Sequence, residues 1–351
     1  MSELLSDHTT LRLGGPARRW VRATSEQELI AAVDEADSAG EPVLVLGGGS
    51  NLVVADEGFD GTVVEVATEG VVVDSETADR TRTSVCGGVM VTVAAGEVWD
   101  DLVARAVVSR WVGVEALSGI PGTVGATPIQ NVGAYGQEVS QTVARVRVWD
   151  RRLRGVRTFA AGDCGFGYRT SRFKADRYDD AGGRHVVLDV TFQLPVGDTA
   201  ASVAYVELAR ALGVELGERP SLAAVREAVL GLRAGKGMVL DPDDHDTWSA
   251  GSFFTNPLVD PARVPAGAPS YPQPDGRTKT SAAWLIDHAG FAKGHGNDRV
   301  SLSTKHTLAL TNRGRATTAD LLELAREVRD GVRAAYGIEL VNEPVMLGCS
   351  L

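Results

Sequence analysis

Residue types able to do chemistry fall in five short segments of this chain. In Leu46-Gly47-Gly48-Gly49-Ser50-Asn51-Leu52 an apolar run ends in three glycines and two polar residues. A strand opening into such a turn presents backbone N–H groups to a pyrophosphate. An ordinary tight turn reads the same way. The dinucleotide fingerprint is absent, because Leu52 stands where its third glycine belongs and no helical pattern follows. The second segment begins Gly119-Ile120-Pro121-Gly122-Thr123-Val124-Gly125-Ala126. It continues through Gln130, Asn131, Gly133, Ala134, Tyr135 and Gly136. Its small residues would let a flat ring lie on the backbone, and its amides could bond a heterocycle edge. The bland reading is a lid. In the third, Gly165 to Lys174, Arg169 lies between Tyr168 and Ser171. An arginine there suits a carboxylate or oxyanion, or equally a solvated strand end with a cation over a ring. The fourth, Ser249 to Pro257, sets Ser252 between Gly251 and Phe253-Phe254. A hydroxyl beside apolar bulk can be a dry proton donor; a turn or capping serine is the bland alternative. It is not the elbow of a serine hydrolase. The fifth holds Glu339 and Glu343, edge charges unless their strand returns to the site.

Other patterns fail. Gly231 to Gly237 has the wrong spacing for a phosphate-binding loop, and Gly237 replaces its Ser/Thr. The six histidines show no metal-ligand spacing, so no catalytic metal is expected, and His8, His245 and His306 read as surface or structural. Cys86, Cys164 and Cys349 form no C-x-x-C and read as reduced thiols of a reducing cytosol. The acidic, polar start lacks the character of a signal peptide, and no run reaches a membrane span. A cytoplasmic protein is expected. The net charge of −11 argues against nucleic acid and anionic membranes as partners, but not against a phosphate ligand held locally. With 44% hydrophobic and 23% charged residues, the 351-residue chain is a globular protein of two to three domains.

These segments need a scaffold, and the patterning supplies one. Ser25 to Glu28 reads as a capping box that starts a helix ending at Gly40. The apolar run 43–46 reads as a buried strand. Further strands are expected at 62–66, 71–73, 89–93, 143–149, 156–160 and 186–194, the last alternating. A second helix is expected over 99–108, and a loop-rich tract over 117–137. Beyond Pro195 the texture changes. Helices are expected at 201–212, 222–232, 281–288 and 318–336, with an acidic loop at 241–246 and a proline-rich connection at 257–274. Strands close the chain at 307–311 and 338–347.

In this order the motifs resemble one family, the UDP-N-acetylenolpyruvoylglucosamine reductases. The resemblance runs nearly end to end, over Leu46 to Leu52, Ile120 to Gly136, Phe166 to Lys174, Gly251 to Pro257, Ala283 to Gly290 and Glu343 to Gly348. It implies an α+β fold: a vanillyl-alcohol-oxidase-type (PCMH-type) FAD-binding domain of two subdomains, plus an α+β substrate-binding domain. The implied limits are 1–66 (joined by 338–351), 67–215 and 216–337. It also implies non-covalent FAD, NADPH as hydride donor, and UDP-N-acetylglucosamine enolpyruvate as the substrate reduced in peptidoglycan precursor synthesis, by a monomer. Carried over by motif, Arg169 and Glu343 stabilise an enolate-like state and Ser252 donates a proton. The FAD residues become Leu46, Gly47, Gly48, Gly49, Ser50, Asn51, Leu52, Ile120, Pro121, Gly122, Gly125, Ala126, Gln130, Asn131, Gly133, Ala134 and Tyr135. Tyr168, Tyr205, Lys236 and Asn256 become substrate residues, Tyr205 marking the subtype with a substrate-covering loop. The chain has Thr255 where other members carry Lys.

Overall fold

The computed structural model describes residues 3–74, 88–176, 178 and 182–351. Cys86 lies outside the described residues. The chain forms two compact units. The first holds Met1–Ala17, Gly49–Phe59 and Gly235–Leu351; the second holds Arg18–Gly48 and Asp60–Ala234.

The second unit is built on two sheets. In the smaller, Val43–Leu46 runs parallel to Phe59–Val66, with Val43 opposite Thr62 and Leu46 opposite Glu65, and Ala17–Ala23 on the other side. The larger has five strands in the order Gly155–Ala160, Val143–Asp150, His185–Pro195, Gly88–Ala94 and Val71–Asp74, all antiparallel. The strand His185–Pro195 was expected to alternate. It is central and buried without a break from His185 to Phe192, because both its faces are covered. Helices Glu26–Ser38 and Trp99–Val108 add Leu29, Val33, Trp99, Leu102 and Val103 to the core of this unit. The first helix is capped as expected at Ser25, whose Oγ accepts from the Glu28 N–H at 3.2 Å. The reciprocal bond goes one residue further out: the Glu28 carboxylate accepts the N–H and the hydroxyl of Thr24. The expected helix at 201–212 is shorter. Only Val206–Leu212 is helical, because 201–205 is extended along other partners. Helix Leu222–Gly235 packs Leu222, Val225 and Val229 with Val203 and Leu208 in a separate small core.

The first unit is organised by helix Thr318–Tyr336. A capping box at Thr317 and Asp320 starts it, and Gly337, at φ +65°, ends it. Leu321, Leu324, Ala325, Val328 and Val332 fill the core from one face. Its first turn holds strand Leu52–Val54. The Thr318 hydroxyl donates to the Val54 carbonyl at 2.6 Å, and the Asp56 carboxylate accepts from the N–H groups of Thr318 and Ala319. Strand Val345–Leu347 lies parallel to Leu52–Val54, with Val345 opposite Leu52. The chain end therefore fixes the strand that leaves the glycine turn. The expected strand over 338–347 is regular only at Val345–Leu347, because Pro344 removes a ladder donor. The expected connection 257–274 contains strands Leu258–Val259 and Ser270–Pro272, which flank Thr278–Thr280 in a small sheet. Leu310–Asn312 pairs with Val300–Leu302, so the expected strand at 307–311 starts later. The helix expected at 281–288 is Ala282–His288, capped by Ser281.

Cys164 is a free, buried thiol whose pKa burial pushes up to about 11; Cys349 is also free. No helix among the described residues is long and apolar enough to cross a membrane.

Candidate active site

Two glycine-rich turns meet in the second unit. A Cβ on Gly48 would lie 2.6 Å from the Gly122 Cα, and one on Gly47 would lie 2.6 Å from the Thr123 Oγ1. Gly48 therefore meets backbone and requires glycine, whereas the Gly47 contact is with a side chain that can turn; at Gly48 the two turns pack backbone on backbone. Such a surface fits a pyrophosphate, which needs N–H groups at close range and no intervening side chain. Gly49, at φ +57° in the first unit, is held by a different approach, since its Cβ would sit 1.9 Å from the His8 carbonyl oxygen. The side chains of Leu46 and Leu52 are buried, leaving their backbone for any ligand contact.

The tract 117–137 is ordered by contacts that the sequence does not display. Gly125 packs on Ala95, and its N–H donates to the Ala95 carbonyl at 2.8 Å. The Gly119 N–H donates to Asp100 at 2.6 Å, and Arg226 grips the same carboxylate with two nitrogens, at 2.7 and 2.8 Å. Burial alone would raise Asp100; Arg226 and the Gly119 N–H more than offset it and hold the carboxyl below its usual range. The Asn131 side chain bonds within the protein. It is buried, donates to Glu138 at 2.9 Å and to the Gly167 carbonyl at 3.0 Å, and accepts from the Ser140 N–H at 3.2 Å. Its side chain joins the loop to the Arg169 turn.

Arg169 lies in a two-residue turn closed by reciprocal bonds between Gly167 and Thr170. Its φ of +52° is left-handed, and the Lys174 ammonium donates to its carbonyl at 3.1 Å. Asn131 (φ +44°) and Tyr135 (φ +48°) share that region of backbone space. Such strain in non-glycine residues costs about 1–3 kcal/mol each and gathers at functional sites. Tyr168, beside Arg169, is exposed. Burial pushes the Tyr135 phenol up to about 12, against the pull of Arg233. Burial also pushes Arg233 below its usual value; Tyr135 and Asp100 oppose this, and nearby Arg169 adds to it. The Tyr135 ring meets the Tyr205 ring edge-on at 5.7 Å.

In the first unit, Ser252 and Glu343 sit on neighbouring backbones. The Glu343 N–H donates to the Phe253 carbonyl at 2.8 Å, and Phe254 bridges to Asn342. Gly251 takes φ +72°, and its N–H donates to the Ser249 hydroxyl, a turn that presents Ser252. Phe253 and Phe254 are buried rings 5.1 Å apart that fix the segment. The backbone of Glu343 thus lies against that of Phe253, one residue on from Ser252. The Asn256 Oδ1 accepts from the Ala282 N–H at 2.9 Å, and half-buried Lys236 follows helix Leu222–Gly235. Among the described residues no cluster could hold a metal ion.

Sequence reasoning passed over Glu115 and the pair Asp100–Arg226. Glu115 had a signal: an acid inside the apolar stretch Trp111-Val112-Gly113-Val114-Glu115-Ala116-Leu117, where a charge must find partners.

A backbone surface of this kind fits a nucleotide cofactor. Residues 17–152 match the family described as FAD binding domain. Residues 241–347 match UDP-N-acetylenolpyruvoylglucosamine reductase, C-terminal domain. The chain is 60% identical over 350 residues to the UDP-N-acetylenolpyruvoylglucosamine reductase of Cutibacterium acnes, covering 99% of this chain and 90% of that protein. It is 57% identical to the enzyme of that name from Streptomyces avermitilis, covering 99% and 94%. The crystal structure of the Thermus caldophilus UDP-N-acetylenolpyruvylglucosamine reductase superposes with a TM-score of 0.61 at 26% identity, covering 99% of this chain and 98% of that one. The chain belongs to the UDP-N-acetylenolpyruvoylglucosamine reductase family.

Proposed function

We propose that Arg169, Ser252 and Glu343 carry this family's chemistry in the present chain. The reaction is the NADPH-dependent reduction of UDP-N-acetylglucosamine enolpyruvate to UDP-N-acetylmuramate, a step of peptidoglycan precursor synthesis. Bound FAD supplies the carrier that takes a hydride from NADPH and passes it to the vinyl CH₂ carbon of the substrate. That carbon becomes a methyl group, and the displaced electron pair spreads from the neighbouring carbon into the carboxylate. Arg169 stabilises the developing charge with charge-assisted hydrogen bonds from its guanidinium. Ser252 delivers the proton that the neighbouring carbon requires. Glu343, on the backbone next to Phe253, steadies the same charge through a shared proton. The observation that carries this reading is the end-to-end likeness to the Cutibacterium acnes enzyme.

FAD is held non-covalently by the backbone of 46–52 and by 120–135. The bare backbone contact of Gly48 with Gly122 supports this. Tyr168, Tyr205, Lys236 and Asn256 contact substrate, and Tyr205 marks the subtype with a covering loop. The enzyme is a cytoplasmic monomer, a compartment in keeping with its free thiols. We retain three domains, 1–66 with 338–351, 67–215 and 216–337; the separate sheets on either side of residue 67 support the first boundary.

The test is anaerobic. The purified protein is yellow, NADPH bleaches the flavin, and added enolpyruvyl sugar nucleotide restores its absorbance. Reoxidation by oxygen alone would reject the function.

A further inference from the structure

Glu115 is fully buried, and every bond of its carboxylate has a known destination. One oxygen accepts the Gly113 N–H at 2.6 Å. The other accepts the Gln137 Nε2 at 3.0 Å and the Ala201 N–H at 2.7 Å. Gln137 in turn accepts the Ala116 N–H at 2.8 Å. The carboxylate thus joins the end of the glycine-rich loop, at Gln137, to the start of the segment that ends in Tyr205. The two strands of chain touch again further along. A Cβ on Gly136 would stand 3.2 Å from the Ala204 Cβ, and the Tyr135 and Tyr205 rings meet edge-on. Beside the carboxylate, Tyr135, Gln137, Ser202, Val203, Leu208 and Val225 line a small cavity of about 20 Å³. Residues 201–205 are not helical, and Ser202, Ala204 and Tyr205 are exposed. The segment's other backbone bonds, from the Ala200 N–H to the Pro220 carbonyl at 2.7 Å and from the Val203 N–H to the Glu218 carbonyl at 2.9 Å, run to 218–220, so the Glu115 carboxylate is what hydrogen-bonds it to the loop.

We infer that Glu115 is a positioning residue for the reductase reaction: it seats the Tyr205 segment on the Tyr135–Gln137 end of the proposed cofactor loop and so couples the cofactor site to the substrate cover. The part played by substrate rests on the function proposed above; the seating itself does not. Glu115→Gln keeps the shape but removes the charge, and its single oxygen cannot serve both Gly113 and the Gln137–Ala201 pair. A second variant, Ala201→Pro, keeps Glu115 and its charge but deletes the segment's N–H and sets a ring carbon against the carboxylate, which guards against a Glu115→Gln protein that fails to fold.

Amide exchange across 199–206 is measured in parent and variants, with and without FAD, and needs no substrate. In parent protein FAD slows exchange in this segment. In either variant exchange there is at least tenfold faster, and the slowing by FAD is lost. In steady state both variants raise KM for the enolpyruvyl sugar nucleotide about tenfold, while flavin reduction by NADPH keeps its rate. In a Tyr205→Ala background Glu115→Gln adds little further rise, as expected of residues acting in series. Unchanged exchange across 199–206 in a folded variant overturns the inference, as does a fully additive KM effect. A parent protein that exchanges as described but does not turn over the sugar nucleotide rejects the proposed function and leaves the seating standing.

Discussion

The tract 117–137 and the segment 249–257 both lack long regular elements, yet they are held in opposite ways. The tract uses its side chains on itself. Asn131, Gln137, Glu115 and Asp100 all bond within the protein, and Gly48, Gly122 and Gly125 admit backbone where a side chain would stand. The segment is held by two buried rings and by backbone bonds to Leu308 and Val341, so Ser252 has no part in its support. Substitution in the tract should therefore act through folding and cofactor retention. Substitution of Ser252 should act on chemistry alone.

The sharpest test of that contrast is Ser252→Ala. It should slow flavin reoxidation by substrate about 10²- to 10⁴-fold, with reduction by NADPH near the parent rate and thermal stability unchanged. Stopped-flow absorbance separates the two halves; an equal loss in both would remove the proton-donor role. Phe253→Ala, one residue on, should instead cost about 3–5 kcal/mol in chemical denaturation, since it empties a fully buried ring site. In the tract, Gly48→Ala forces a Cβ against Gly122 and should cost about 1–3 kcal/mol and lower the FAD content of the purified protein. A fully loaded Gly48→Ala protein of parent stability would break the comparison. Asn131→Asp keeps the acceptor for Ser140, but it leaves the Gly167 carbonyl without its donor and sets a second carboxylate against Glu138, so it should cost at least about 1–3 kcal/mol.

The smallest expected effect is a pH dependence from a residue outside both segments. His185 is buried among Phe159 and Phe173, and burial lowers its pKa although Asp176 bonds its Nε2. The unfolded chain then binds a proton more readily than the folded one. Stability from this residue is full above about pH 6.5 and falls as pH drops below it. Urea midpoints from pH 8 to pH 5 should show the decline, and His185→Leu should flatten it.

Much of this was legible in the residues. Helices Trp99–Val108 and Thr318–Tyr336 carry a strong apolar period and have the expected bounds. The glycine turns and the Gly251–Pro257 segment stood out by composition. Less was legible where context overrides pattern. Residues 201–205 have helical composition, but the Ala201 N–H is taken by Glu115. The strand His185–Pro195 looked half-buried because alternation cannot report whether a second face is covered. The bonds of Asn131 to Glu138, Gly167 and Ser140 were not legible, because an amide in a loop does not reveal its partner.

The sequence alone determined the family resemblance and the segments in which Arg169, Ser252, Glu343 and the two glycine turns lie. Those depend on residue types at fixed local spacing, which one strand of chain displays. Only the tertiary structure decided that Gly48 faces Gly122, that Glu343 lies beside Phe253, and that Glu115 binds Ala201. Each joins positions dozens of residues apart or more, and the partner of a buried polar group is chosen by what the fold brings within 3 Å, not by its neighbours in sequence.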